Sequence, residues 1–259
     1  MQLLQECLQE LLKPESLGII KMRIPRLKIK YLFSRTFFRV FPGANVNICS
    51  NVEICRSKII VSAGATLSIA PNVRIKDAEI YVERGSLHID GNCIIQGESK
   101  TKHTCIIVND GQVSIGNHSK VSCDKIWVRF GGALSVGEYT NINQGSEIRC
   151  DESITIGSFN QISYHVRIWD TNTHSILEPD ERRRVAKQYY PYYGYEESRP
   201  QTRPIVIGND CWLGEGVAIL KGSCLGDRTI IGFQTTISGQ TIPAGSRVVP
   251  DIKLRILST

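Results

Sequence analysis

The chain has 259 residues, of which 41% are hydrophobic, and it contains 22 glycines but only 10 prolines. This length and composition are typical of a globular, turn-rich β protein and exclude a disordered one. A net charge of +6 is too small to indicate a nucleic-acid partner without basic and aromatic residues interleaved for that purpose. No apolar run approaches the ~20 residues that cross a bilayer.

The first residues, MQLLQECLQELL, have neither a basic start nor a small-residue cleavage site, so we expect no secretory signal. The nine cysteines are an odd number without CxxC or Cys/His spacing. This pattern predicts small buried hydrophobes in a reducing compartment rather than disulfides or a zinc site. We therefore expect a cytoplasmic protein.

Residues 1–13 carry leucines at helical spacing before Pro14 and predict a short amphipathic helix. From Leu17 to Val40, seven lysines and arginines alternate with apolar residues, and no acidic residue occurs. Such a segment can cap the first coil of a repeat array. It can also lie on an anionic membrane surface, which would place the protein at the inner face of the membrane. We predict that residues 1–40 form a helical, basic cap and that residues 41–259 form the main domain.

Hexads of aliphatic residues begin near Val46 and continue to Ile168. The register slips over residues 76–88 and 97–112, where we expect the corners to bulge. At about 18 residues per coil, the repeat region up to residue 250 predicts nine or ten coils.

The clearest repeat lies between Ile205 and Ile242. A period of six fits neither an α-helix nor a continuous strand, but it fits short strands joined by tight corners. It therefore predicts an all-β parallel β-helix, with a β-sandwich as the weaker alternative. The residues in this period are Ile207, Leu213, Ile219, Leu225, Ile231 and Ile237.

The periodicity stops at Ile168 and resumes at Ile205. The intervening segment, about 169–204, is rich in charge, tyrosine and proline. A loop of this length inside a compact array is usually functional.

Four segments carry a resemblance to a known family: DTNTHSILEPDERR, PIVIGNDCWLGEGVAILKG, LGDRTIIGFQTTIS and IPAGS. With them the chain resembles the hexapeptide-repeat acyltransferases, which are left-handed parallel β-helices, and among these the sugar and polysaccharide O-acetyltransferases. The resemblance is strong from Asp170 to Ala244 and generic over residues 46–168. It implies acetyl-CoA as the acyl donor, with an acyl-carrier protein as the alternative donor, no metal, and a homotrimer with composite active sites.

The resemblance also implies catalytic residues. His174 matches the family's general base, which suits the chemistry because imidazole can take the proton of an attacking hydroxyl. His165 is the competing candidate. Asp170 either orients the base or forms an Asx turn that starts the loop. Trp212 matches a tryptophan that lines the acyl-transfer tunnel, or it packs beneath the insertion.

The predicted coenzyme A contacts follow from the same resemblance. Gly214 permits a close backbone approach to the thioester, and the backbone near Phe233 and Ser238 matches the pantetheine contacts. Lys253 and Arg255 match the cations that meet the adenosine phosphates, although the sequence here reads VVPDIKLRIL where the family has Gly-Asn-Pro-Ala-Lys. Histidine spacing does not reproduce the three-histidine zinc site of some relatives of this fold.

Three functions follow from these observations. The first is O-acetylation of a sugar hydroxyl on a surface glycan, of the capsule or lipopolysaccharide type, or on its precursor. The second is N-acetylation of a nucleotide-linked amino sugar. The third is a catalytically silent β-helix that acts as a scaffold or membrane adaptor through residues 17–40.

Overall fold

A computed structural model describes residues 35–191 and 199–251. The chain winds through three parallel sheets of nine strands each, and each coil passes through sheet A, sheet B and sheet C in that order. The predicted parallel β-helix is confirmed, and its three-sheet coils are consistent with the left-handed form.

The strands of sheet A, in chain order, are β1 (Phe37–Val40), β4 (Lys58–Val61), β7 (Ala78–Val82), β10 (Thr104–Val108), β13 (Lys125–Val128), β16 (Glu147–Cys150), β19 (Arg167–Trp169), β22 (Ala218–Leu220) and β25 (Thr236–Ser238). Those of sheet B are β2 (Asn45–Ile48), β5 (Thr66–Ile69), β8 (Gly85–Ile89), β11 (Gly111–Ile115), β14 (Gly132–Val136), β17 (Ser153–Ile156), β20 (Ile205–Ile207), β23 (Cys224–Leu225) and β26 (Thr241–Ile242). Those of sheet C are β3 (Glu53–Cys55), β6 (Arg74–Lys76), β9 (Ile94–Gln96), β12 (Lys120–Val121), β15 (Asn141–Ile142), β18 (Gln161–Ile162), β21 (Trp212–Leu213), β24 (Ile230–Ile231) and β27 (Arg247–Val248).

The hexad residues form the core. Each pairs with its counterpart one coil away, as Leu213 does with Ile231 and Ile219 with Ile237. All six residues of the clearest repeat are at most 2% exposed. Burying each such side chain stabilises the fold by up to about 1.5–3 kcal/mol. The nine coils of the described residues agree with the predicted nine or ten.

The register slips have a local cause. In the third to fifth coils several strands have five residues, and the corners between sheets A and B shrink to two or three residues. Gly111 allows this tight turn: its φ is +141°, and a Cβ there would lie 2.2 Å from the carbonyl oxygen of Gly132. Residues 97–103 form a longer corner before β10, as the second slip predicts.

The solenoid begins earlier than predicted. Strand β1 occupies Phe37–Val40, inside the segment that we assigned to the cap, and pairs in register with β4. Phe38 packs against the core, so the main domain starts by residue 37 rather than 41. The predicted helix 1–13 and most of the basic segment 17–40 lie outside the described residues.

The insertion contains a helix, α1 (Pro179–Tyr189), none of whose residues is buried. Within the described residues, no helix is long and apolar enough to cross a membrane. Among the free cysteines of the described residues, Cys93, Cys123, Cys150 and Cys211 are buried, in agreement with their interpretation as small hydrophobes, whereas Cys49, Cys55, Cys105 and Cys224 are only half-buried.

Candidate functional site

The insertion leaves the β-helix at the corner between sheets A and B of the seventh coil, directly after β19. Its two ends run side by side. The backbone N–H of Asn172 donates to the carbonyl of Gln201 at 3.0 Å, and that of Arg203 donates to the carbonyl of Asp170 at 2.9 Å. This antiparallel neck fixes the direction in which the loop departs.

Asp170 anchors the neck to the sixth coil. Its carboxylate is fully buried and accepts the backbone N–H groups of Asp151, Glu152 and Ser153 at 2.8, 2.9 and 2.8 Å. Burial raises the pKa of this carboxyl group, and the three amide hydrogen bonds oppose that rise. In the described structure the Asp170 carboxylate makes no hydrogen bond to His174, and its three amide contacts anchor the start of the loop.

A buried ion pair lies on the same edge. The Arg129 guanidinium donates two parallel hydrogen bonds to the carboxylate of Asp151, from Nε at 2.9 Å and from Nη2 at 2.7 Å. Nη2 also donates to the carbonyl of Thr173 at 3.1 Å. Sequence reasoning missed both charged residues, because corner positions do not enter the hexad pattern and the partners lie 22 and 44 residues apart.

His174 follows this contact and is exposed. Its Nδ1 lies 3.4 Å from the carbonyl oxygen of Ser175. Because a carbonyl oxygen only accepts hydrogen bonds, the contact favours the tautomer with the proton on Nδ1. In that tautomer Nε2 carries a free lone pair. Because His174 is also exposed, the side chain predicted as the base is accessible to a substrate hydroxyl.

His165 occupies a different edge of the β-helix. It lies at a corner between sheets C and A, has a φ of +58° and is tied by its backbone N–H to Gln144. Its ring fills the space beside Gly145, where a Cβ would lie 2.1 Å from the imidazole. The ring thus packs against the Gly145 corner, and the residue as a whole is exposed, as His174 is.

The other predicted donor-site residues lie in the last three coils. Trp212 is on sheet C in the seventh coil. Phe233 lies one coil later, in the corner between β24 on sheet C and β25 on sheet A, and Ser238 is the last residue of β25. Trp212 is 53% and Phe233 is 55% exposed. A Cβ on Gly214 would lie 2.9 Å from the backbone nitrogen of Phe233, so coil stacking itself requires this glycine.

Two predicted residues, Lys253 and Arg255, lie outside the described residues. His174 lies at the edge between sheets A and B, whereas Trp212 lies on sheet C, so the two residues are on different sides of the β-helix, which has the form of a three-sided prism. Within the ranges 35–191 and 199–251, no group of three or more His, Cys, Asp and Glu side chains could hold a metal ion.

Comparisons with known proteins also find a hexapeptide repeat in this chain. Residues 204–239 match the family described as bacterial transferase hexapeptide (six repeats). The chain is similar to the putative lipopolysaccharide biosynthesis O-acetyl transferase WbbJ of Escherichia coli (strain K12), with 27% identity over 154 residues that cover 59% of this chain and 74% of that protein.

Two solved structures are also similar. The polySia-specific acetyltransferase NeuO aligns with a TM-score of 0.48 and 18% identity over 83% of each chain. The polysialic acid O-acetyltransferase OatWY aligns with a TM-score of 0.48 and 18% identity over 85% of this chain and 92% of that one. With the transferase hexapeptide repeat at residues 204–239, a parallel β-helix and a relative named as a putative O-acetyl transferase, the chain is similar to the hexapeptide-repeat acyltransferases.

Proposed function

We propose that this protein is an acetyl-CoA-dependent O-acetyltransferase that acts on a sugar hydroxyl of a surface glycan or of its precursor. One observation carries the proposal: the transferase repeat at residues 204–239 directly follows an insertion that presents an exposed histidine from an anchored neck. The E. coli relative, named as an O-acetyl transferase of lipopolysaccharide biosynthesis, supports both the reaction and the class of acceptor.

In the proposed reaction His174 is the general base. Its Nε2 takes the proton of the acceptor hydroxyl as the oxygen attacks the thioester carbonyl carbon. The tetrahedral intermediate then collapses, the C–S bond breaks, and the thiolate of coenzyme A takes the proton from the imidazolium. The products are the acetyl ester of the sugar and free coenzyme A, and the histidine returns to its starting state.

The donor would lie along the last coils. Trp212 and Phe233 offer exposed aromatic surface on sheet C and on its edge, which suits the apolar part of a pantetheine arm. The backbone near Ser238 supplies polar groups for the amides of that arm.

We further propose that the active site is completed in a homotrimer. His174 and Trp212 lie on different sides of one prism, so a single chain does not bring the proposed base to the proposed donor surface. A neighbouring copy that packs its sheet C face near the insertion would do so, and closed symmetry would repeat the contact at each interface.

The test is a transfer assay that follows release of the coenzyme A thiol from acetyl-CoA. Two sets of acceptors should be compared: plain or lipid-linked glycans, and nucleotide-linked amino sugars. The proposal expects thiol release with glycans and a product whose acetyl group is removed by mild alkali, as an ester is. An alkali-stable amide product would identify an N-acetyltransferase. Absence of acetyl-CoA binding in calorimetry would favour the silent scaffold.

A further inference from the structure

Arg129 lies two coils before the insertion, in the corner that follows β13. Its side chain is 8% exposed and that of Asp151 is fully buried. The bidentate pair leaves Nη2 able to donate once more, and it donates to the carbonyl of Thr173. The Arg129 guanidinium, at the edge of the fifth coil, thus contacts the carbonyl of Thr173 in the seventh coil, and Thr173 directly precedes His174.

Thr173 has an unusual backbone. Its φ is +67°, in the left-handed region where a β-branched residue is strained. Two contacts hold it there: its N–H donates to Oγ1 of Thr171 at 3.0 Å, and its carbonyl accepts from Arg129. The peptide group between Thr173 and His174 is therefore fixed from the side of the β-helix.

We propose that Arg129 is a positioning residue for the reaction, which acts by holding the Thr173 carbonyl and so setting the direction of His174. The proposal rests on the proposed function, in which His174 is the base. Arginine suits this task because its planar fork can pair with a carboxylate and still donate to a third acceptor, whereas a lysine ammonium cannot reproduce that geometry. A misplacement of the base by about 1 Å can lower a rate about 100-fold.

A second ion pair in the same chain provides a matched control. Arg56 donates two parallel hydrogen bonds to Asp77, from Nε at 2.7 Å and from Nη2 at 2.6 Å. The Asp77 side chain is 4% exposed and that of Arg56 is 26% exposed. This pair lies at the C–A edge of the first coils, far along the chain from the insertion. Replacement of either arginine removes a similar bidentate contact, and replacement of Arg129 also removes its hydrogen bond to Thr173 and its packing over the rings of Trp127 and Phe130.

The experiment compares Arg129→Lys with Arg56→Lys in the full chain. We expect both variants to melt at somewhat lower temperature than the wild type. Only Arg129→Lys should lose kcat, by about 10- to 100-fold, with the KM for acetyl-CoA changed less than about threefold. Should Arg129→Lys fold poorly, the double variant Arg129→Met/Asp151→Leu removes the pair without leaving a buried unpaired charge, and it should show the same loss of kcat.

Three outcomes would overturn the proposal. One is a folded Arg129→Lys or double variant whose kcat stays within about twofold of the wild type. Another is an equal loss of kcat in Arg56→Lys. The third is a further loss when Arg129→Lys is added to His174→Ala, since a residue that acts through the base has no effect once the base is gone. By contrast, full activity of His174→Ala alone would refute the proposed base and hence the function from which this inference starts.

Discussion

The carboxylate of Asp170 accepts the backbone N–H of Asp151 at 2.8 Å, while the Asp151 carboxylate pairs with Arg129 at 2.7 Å. Three consecutive A–B corners are thereby joined through Asp151, which acts as a backbone donor to Asp170 and as a side-chain acceptor for Arg129. The neck of the insertion is fastened to the rigid stack of coils below it. A site on such a support is held more precisely than one on a free loop.

We predict that Asp170→Asn lowers both the stability and the activity of the protein. An asparagine amide has one acceptor oxygen, so its NH2 group would face at least one of the three N–H donors that the carboxylate now satisfies. Leaving a buried donor unpaired costs about 1–3 kcal/mol. Thermal melting and transfer kinetics would measure the two losses.

Asp124→Asn serves as the control for that variant. The Asp124 side chain accepts a single backbone N–H, from Gly145 at 2.9 Å, at an exposed corner. It should therefore retain nearly all stability and activity. Normal kinetics in Asp170→Asn would show that the anchored neck is not needed for the reaction.

We predict that His174→Ala lowers the transfer rate by about 10²- to 10⁴-fold, the usual contribution of a general base, without changing the melting temperature. His165→Asn is the matched comparison. It removes the other candidate imidazole, and asparagine tolerates the positive φ at that position. This control should keep activity within a few-fold of the wild type. The reverse pattern, with an inactive His165→Asn and an active His174→Ala, would mean that His165, at the edge between sheets C and A, is the base.

Much of the fold follows from the sequence because the β-helix core accepts one aliphatic residue at each inward position. The hexads from Ile207 to Ile237 therefore mark buried strands directly. The sequence did not reveal strand β1 (Phe37–Val40). Lysines and arginines are interleaved through the segment that ends at Val40, and they conceal the half-buried pattern of the strand. Helix α1 was missed because it has no buried face, so no apolar periodicity marks it.

Less of the site could be predicted. The resemblance identified the segment with His174, but Arg129 and Asp151 meet only because the β-helix stacks residues one coil apart. Their spacing of 22 residues depends on corner lengths, which the sequence does not specify. For the same reason the three amide partners of Asp170 could not be read from a motif, and the Asx turn and the orienting role remained equal alternatives.

The ion pair of Arg56 and Asp77 leads to a prediction on pH. The hydrogen bonds from Arg56 lower the pKa of the Asp77 carboxyl group. Because this pKa is lower in the folded than in the unfolded chain, where it is about 3.9, the stabilisation is complete above about pH 5 and is lost as the pH falls through the folded value. Asp77→Asn should therefore melt a few degrees lower than the wild type at pH 7, and this difference should shrink as the pH falls below about 4.

Asparagine suits this test because Asp77 has a φ of +52°, which asparagine accepts without added strain. The measurement is the melting temperature of both proteins across pH 3 to 8. A difference that stays constant over this range would mean that the charge of Asp77 does not contribute to stability.

The separation of His174 and Trp212 on one prism gives a test of the composite site. We predict that His174→Ala and Trp212→Ala are each nearly inactive, and that mixing them after dissociation and reassembly restores activity. In a trimer with sites shared between neighbours, a random equal mixture would leave about a quarter of the sites with both residues intact, since each is present with a chance of one half. The measurement is kcat per site before and after mixing. A mixture that stays inactive, although the subunits have exchanged, would mean that both residues serve the same chain, and the active site would then have to form within one protomer.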